Sequence, residues 1–287
     1  MFKNLSPGAI GIRNCSLQDA ISLAAKTGFA GIDVSITEIA DLVASHDLEY
    51  VRNLFEAAGV RPGQWGTPVR WQAEKEVWQQ DLAKLPSLAS LARSLGCTRS
   101  ATWCPPASDE REFAENLAWH IERFRPIAQI LADNGCVFGI EFIGPKTSRM
   151  RRKYEFIYTL EGMMDMAHQI GTGNVGLLLD AWHLYTSGGS VDDLDKISAD
   201  DVVTVHVNDA PGGVAVADQI DNDRRLPMET GVIDLPGFMK KLAAMGYDGP
   251  VTPEPFSKRI NAIEDPVEAA KLAAHYMDLL WQAGGLS

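Results

Sequence analysis

Four side chains able to bind a metal or move a proton stand at the ends of apolar runs in the second half of the chain. They are Glu141 in CVFGIEFIG, Asp180 in NVGLLLDAW, His206 in VVTVHVND and Glu254 in GPVTPEPF. A single carboxylate in such a place has an ordinary explanation, because Asp commonly opens a turn. Four in succession need another. Three carboxylates gathered in one small cavity repel, and at least one takes up a proton unless a cation neutralises them. A divalent ion resolves the conflict, with three oxygens and one imidazole nitrogen as ligands. A mixed O/N set without thiolate suits Mn²⁺ or Mg²⁺ and admits Co²⁺, Zn²⁺ or Fe²⁺. His183 follows Asp180 closely and is expected to face the same cavity from the next turn.

That gathering requires a fold in which successive strand ends meet. Short apolar runs alternate with longer amphipathic segments along the whole chain. GAIGI (8–12), AGIDVSI, VRPGQWG (60–66), TRSATWC (98–104), CVFGIEFIG (136–144), NVGLLLDAW, VVTVHVND (202–209) and GPVTPEPF (249–256) read as strands. Between and after them lie helical patterns, among them LQDAISLAAKTG, IADLVASHDLEYVRNLFEAAG, LEGMMDMAHQIG, LPGFMKKLAAMG and the closing DPVEAAKLAAHYMDLLWQA. The strands lack a period of two, as strands buried on both faces do. Eight strand–helix units in 287 residues predict an α/β protein of the (β/α)8 TIM-barrel type. No convincing Gly-rich phosphate loop follows the first strand, which disfavours a doubly wound open sheet. No linker or low-complexity segment divides the chain, so residues 1–287 are expected to form one domain.

Composition narrows the function classes. The formal net charge of −12 repels a phosphodiester backbone, so nucleic acid is not an expected partner. No stretch reaches the ~20 uncharged apolar residues of a membrane helix, and MFKNLSPGAIGI lacks the apolar core of a secretion signal. Cys15, Cys97, Cys104 and Cys136 form no Cys-x-x-Cys pair and read as reduced thiols, which predicts a soluble cytoplasmic protein.

At these residues the sequence resembles the sugar phosphate isomerase/epimerase group, the xylose-isomerase-like barrels. The resemblance is strongest in GIEFIGPKT, GLLLDAWHLYTSGG, VTVHVNDAP, RRLPMETGVIDLPGF and VTPEPF. It implies that Glu141, Asp180, His206 and Glu254 bind one divalent cation, that Glu141 and Glu254 also carry protons, and that His183 and either Arg224 or Arg225 bind substrate oxygens. Met228 follows Pro227 where the family often has Gly, which leaves the choice of arginine open. The reaction implied is isomerisation or epimerisation of a sugar, sugar phosphate or derivative through an enediolate; a lyase or dehydratase acting on a keto-sugar or keto-inositol shares its first proton abstraction. An abasic-site endonuclease would need more histidines at the strand ends, and a non-catalytic sugar-binding barrel is the remaining alternative. The expected partner is a small sugar, and self-association into a homo-oligomer is compatible with the sequence.

Other residues have weaker claims on the site. Lys146, Arg149, Arg151, Arg152 and Lys153 form a basic loop after the fifth strand, with Lys146 as a candidate clamp for an anion; a solvated loop is the simpler reading. Trp103 and Trp65 could wall a sugar site or pack in the core. Asp33 ends the second strand and could touch substrate. His46, His120, His168 and His275 fall on helices as surface or packing residues.

Overall fold

Strands that bury both faces must be covered by helices outside and by one another inside. The computed structural model, which describes residues 1–286, meets this with a closed parallel barrel. Its strands are β1 (Phe2–Leu5), β2 (Gly31–Val34), β3 (Arg61–Gly66), β4 (Arg99–Cys104), β5 (Val137–Phe142), β6 (Val175–Asp180), β7 (Val202–Val207) and β8 (Pro250–Pro253). Neighbours pair in chain order, and β1 closes the ring against both β2 and β8. The principal outer helices are α1 (Leu17–Thr27), α2 (Ile36–Ser45), α3 (Leu48–Ala58), α4 (Lys75–Ser94), α5 (Phe113–Asp133), α6 (Leu160–Ile170), α7 (Ala181–Thr186), α8 (Leu235–Met245) and α9 (Pro266–Ala283). No helix of the described residues is long and apolar enough to cross a membrane.

Local chemistry explains the boundaries. Ser16 accepts the Asp19 amide at the start of α1, and Gly28 ends that helix in the left-handed region at φ 81°. The single helical stretch expected over residues 39–59 is two helices. Asp47 caps α3 by accepting the Tyr50 amide, and that cap requires the chain to leave helical geometry at His46.

The first strand also differs from expectation. Residues 8–10 form a 3₁₀ turn closed by Gly11 at φ 85°, and the strand lies upstream at Phe2–Leu5. Its sequence, FKNL, shows no apolar run because Asn4 points into the barrel. There its side-chain amide donates to Asp33 Oδ1 at 2.6 Å and Thr252 Oγ1 at 2.9 Å. Gly63 makes room: a Cβ there would stand 2.2 Å from Asn4 Oδ1. The barrel floor is therefore a polar layer, and the apolar core lies mainly between strands and helices.

One buried histidine belongs to that outer core. His120 on α5 stacks on Phe156 at 4.8 Å and packs against Trp71 and Trp119, while its Nδ1–H donates to the Asn116 carbonyl at 2.8 Å. Burial pushes its imidazole down to about 4 from the ordinary 6.5. Between those values the unfolded chain binds the extra proton, so the stability held by neutral His120 is full above pH 6.5 and falls toward pH 4. At ~1.4 kcal/mol per unit this amounts to about 3 kcal/mol. We predict that urea titrations from pH 7 to 4 show this loss in the native protein and a correspondingly shallower one in His120→Phe; parallel curves would refute it.

Candidate active site

The strand registry carries the four predicted groups to one level. Asp180 lies beside His206 on neighbouring strands, and His206 beside Thr252. Glu254 follows β8 directly, its amide donating to the Val207 carbonyl at 3.1 Å. Glu141 is the fifth residue of β5 and lies beside Trp103 of β4. One ligand atom from each of Glu141, Asp180, His206 and Glu254 lies within 4.8 Å of all the others.

Their partners decide what the cluster can hold. Glu141 Oε1 and both His206 nitrogens are buried without a hydrogen-bond partner. The nearest carboxylate to His206 is Glu254, with Nδ1 3.4 Å from Oε2. Buried polar atoms are seldom left in this state. A divalent cation would satisfy Glu141 Oε1 and one of the two His206 nitrogens, and three carboxylate oxygens with one imidazole nitrogen form a ligand set suited to it. The residues fit a metal.

Arg224 offsets part of the negative charge. Fully buried between the rings of Trp182 and Phe256, it donates through Nη1 to Asp180 Oδ2 at 2.8 Å and Glu254 Oε2 at 3.0 Å, and through Nη2 to Asp221 Oδ1 at 2.7 Å. The crowding splits the glutamates. Burial, with Glu254 and Asp180 nearby, raises the Glu141 carboxyl well above the carboxylate range. Burial would raise Glu254 too, but His206 and Arg224 outweigh it and hold the group at about 2. For His206 burial opposes charge, yet Glu254, Glu141 and Asp180 prevail and lift it to about 10.

His183 is oriented by backbone. Its Nδ1 accepts the Gly144 amide at 3.1 Å, which requires a glycine, since a Cβ there would meet the His183 carbonyl at 2.2 Å. Burial lowers the His183 imidazole below its ordinary value. A neutral ring that accepts at Nδ1 carries its proton on Nε2. Nε2 is thus a donor facing the cavity, and Arg224 Nη2, 3.2 Å away, is a second donor. This contact is no hydrogen bond; the surrounding carboxylates hold the two together.

The loop that brings Arg224 inward is tied to Asp209, just past β7. The two oxygens of this buried carboxylate accept the amides of Ala210, Thr230, Gly231, Val232 and Ile233, and the Asp209 and Arg225 backbones exchange bonds of 2.8 Å. Arg225 turns away to Asp223 at 3.0 Å, so Arg224 is the arginine in the cluster. Met228 keeps the turn after Pro227 at φ 67°, a conformation that favours glycine and costs a β-substituted residue about 1 kcal/mol or more.

The remaining candidates separate. Trp103 lines a cavity of about 900 Å³ together with Glu141, His183, Arg224 and Glu254. Lys146 is exposed and outside that lining; from its loop Ser148 and Arg152 reach the cavity. Arg149 is occupied by Glu155 at 2.9 Å and by the Tyr158 ring. Trp65 is core, donating to the Cys97 carbonyl. Asp33 sits on the polar floor, held by Asn4 and Gln64. Three residues had no reading in the sequence: Asn208, which donates to Asp180 Oδ1 at 3.1 Å, Asp209 and Asp221. The strand-end run HVND contained a signal for the first two; the loop IDNDRR held none for the third.

Comparison with known proteins agrees with the fold. The model of a family described as xylose isomerase-like TIM barrel matches residues 21–280. An inosose isomerase of Bacillus velezensis is 21% identical over 266 residues, covering 91% of each chain. A xylose isomerase domain protein from Alicyclobacillus acidocaldarius superposes with a TM-score of 0.88 at 28% identity over 99% of both chains. The IolI protein with a bound zinc atom superposes at 0.79 with 18% identity, again over 99% of both.

The Asp209 anchor yields a prediction. In Asp209→Ala the amides of 231–233 should exchange with D₂O about tenfold faster or more, while those of β5 to β7 keep their protection, because the lost bonds tie only the loop. Unchanged exchange at 231–233 would show that the loop is held by something else.

Proposed function

The chain belongs to the xylose isomerase-like TIM barrel family, and on that premise we propose that it is a divalent-metal-dependent isomerase or epimerase of a keto-sugar or a close derivative. The observation that carries this reading is the convergence of Glu141, Asp180, His206 and Glu254 within 4.8 Å, with buried donor atoms that no protein group satisfies. The similarity to an inosose isomerase supports a polyhydroxylated keto-substrate, and the zinc in a structural neighbour supports the metal.

The four clustered residues would hold the ion, and Mn²⁺ or Mg²⁺ suits the oxygen-rich set best. Bound there, it would stabilise the negative charge that develops on the substrate oxygen as the adjacent carbon loses its proton. The remaining work falls to the chain. His183 donates from Nε2 to a substrate oxygen, and Arg224, tethered by Asp221, binds another. Glu141 and Glu254 come from β5 and β8, the two outer strands of the four, and approach the substrate from different sides. One accepts the proton from carbon. The other returns a proton to the opposite face, inverting the carbon, or to the neighbouring carbon, exchanging aldose for ketose.

Elemental analysis should find one divalent ion per chain, and Asp180→Asn or His206→Ala should lose ion and turnover together with the circular dichroism intact. A chelated protein that keeps full turnover would remove the metal from the mechanism.

Glu141→Gln and Glu254→Gln should each lower turnover by about 10²–10⁴-fold, since an amide accepts no proton. Each should still exchange the α-hydrogen of one stereoisomer with D₂O, and a different one. Exchange of both stereoisomers by both variants would contradict the two-base assignment. Exchange in the native protein without an epimer or ketose would point to elimination.

A further inference from the structure

The cavity at the cluster is larger than the reacting ring needs. At about 900 Å³ it stands near the top of the ~300–1,000 Å³ range of sites for drug-sized ligands, several times what a free hexose fills. From Glu141 and Glu254 it runs past Trp103 to a far wall of Glu74, Asp109, Arg111, Trp119, Arg123 and Arg152. We propose that this arm is a second subsite, and that the substrate is a keto-sugar carrying a second, uncharged ring through a glycosidic oxygen. The proposal rests on the functional reading above and adds the substrate's second half.

Three observations carry it. The first is Trp103. It lies beside Glu141 in the strand registry, so both side chains rise from the same face of the sheet. Its ring is 46% exposed although it stands at the mouth of the barrel. Trp71 holds it edge-on, with ring centres 6.2 Å apart, and Trp71 contacts Trp119 at 5.8 Å. An exposed indole braced from behind is a platform for the face of a ring one residue's width from the proton-transfer centre.

The second is charge. With Glu110, which also lines the cavity there, the far wall has three arginines and three acids and carries no net charge. Arg152 pairs with Asp109 and Arg111 with Glu110, each at 3.1 Å. Arg123 donates to the Ala73 carbonyl and covers the rings of Trp78 and Trp119. A phosphate would have to break these pairs. A hydroxylated or aromatic ring needs no such rearrangement.

The third is the origin of the walls. They come from the loops after β3, β4 and β5 and from helix α5, whereas the charged cluster comes from β5 to β8 and the residue after it. The mouth is thus divided into a charged half that does chemistry and a neutral aromatic half that does none.

Calorimetry on the metal-loaded protein with 3-keto-glucose and its methyl, phenyl and glucosyl glycosides tests the arm independently of turnover. The two-ring probes should bind about tenfold tighter than the methyl glycoside, the gain expected from burying one ring face. Trp103→Ala should erase most of that ratio. Ser148→Trp, which adds bulk to the cavity from the loop after β5 and leaves Trp103 in place, should erase it as well. Equal binding of one-ring and two-ring probes, or no binding of any, overturns the proposal, as does a ratio unchanged in both variants. Tighter binding of a charged 6-phosphate than of either two-ring probe would overturn the uncharged assignment. Failure of the functional reading looks different: two-ring probes bind with the expected preference, and none exchanges its α-hydrogen with D₂O.

Discussion

Three largely buried carboxylates held within a few ångströms of one another are a standing electrostatic cost. Most of the surrounding architecture can be understood as the means of sustaining it. His206 and Arg224 are the only cationic groups in direct contact with the cluster among the described residues, and the guanidinium reaches two of the carboxylates at 2.8 and 3.0 Å. Their combined charge is less than the three carboxylates would carry if all were ionised. Glu141 absorbs the imbalance by resisting ionisation. Removing His206 or Arg224 leaves the buried carboxylates less compensated, whereas removing a carboxylate relieves their repulsion, so the centre is a unit whose partners are not interchangeable.

Rigidity on one side of the barrel sustains that unit. The strands fix Glu141, Asp180 and His206 through their pairing, but Arg224 lies on a long irregular connection after β7. Asp209 ties down both ends of that connection by gathering five amides on one carboxylate. The loops after β3 and β4 are tied by other carboxylates, Asp81 accepting the Arg70 amide and guanidinium and Asp109 accepting the Lys153 amide and Arg152, with aromatic packing beside them.

The sequence made the barrel legible because seven of its strands are apolar runs and most helices carry their own caps. It failed at β1, where an inward Asn4 breaks the apolar pattern to build the polar floor, and at the α2–α3 break, where the capping Asp47 was hidden inside a continuous helical period. The cluster itself was readable, since strand ends fall at one level in a barrel. What pairing rules cannot supply is where loop residues turn. Arg224 and Arg225 are adjacent and chemically alike, and only the backbone bridge from Asp209 sends one inward and the other to Asp223. For the same reason Lys146 was indistinguishable from its neighbour Arg152, although one faces solvent and the other the cavity.

The bond from Gly144 to His183 has a consequence for selectivity. Because a main-chain amide occupies Nδ1, no side-chain exchange elsewhere in the site can reverse the imidazole. Under the proposed function the ring offers substrate an N–H at Nε2 and no lone pair, which suits a carbonyl or hydroxyl oxygen at that position. That kind of discrimination survives drift in every side chain around it, so long as position 144 stays bare.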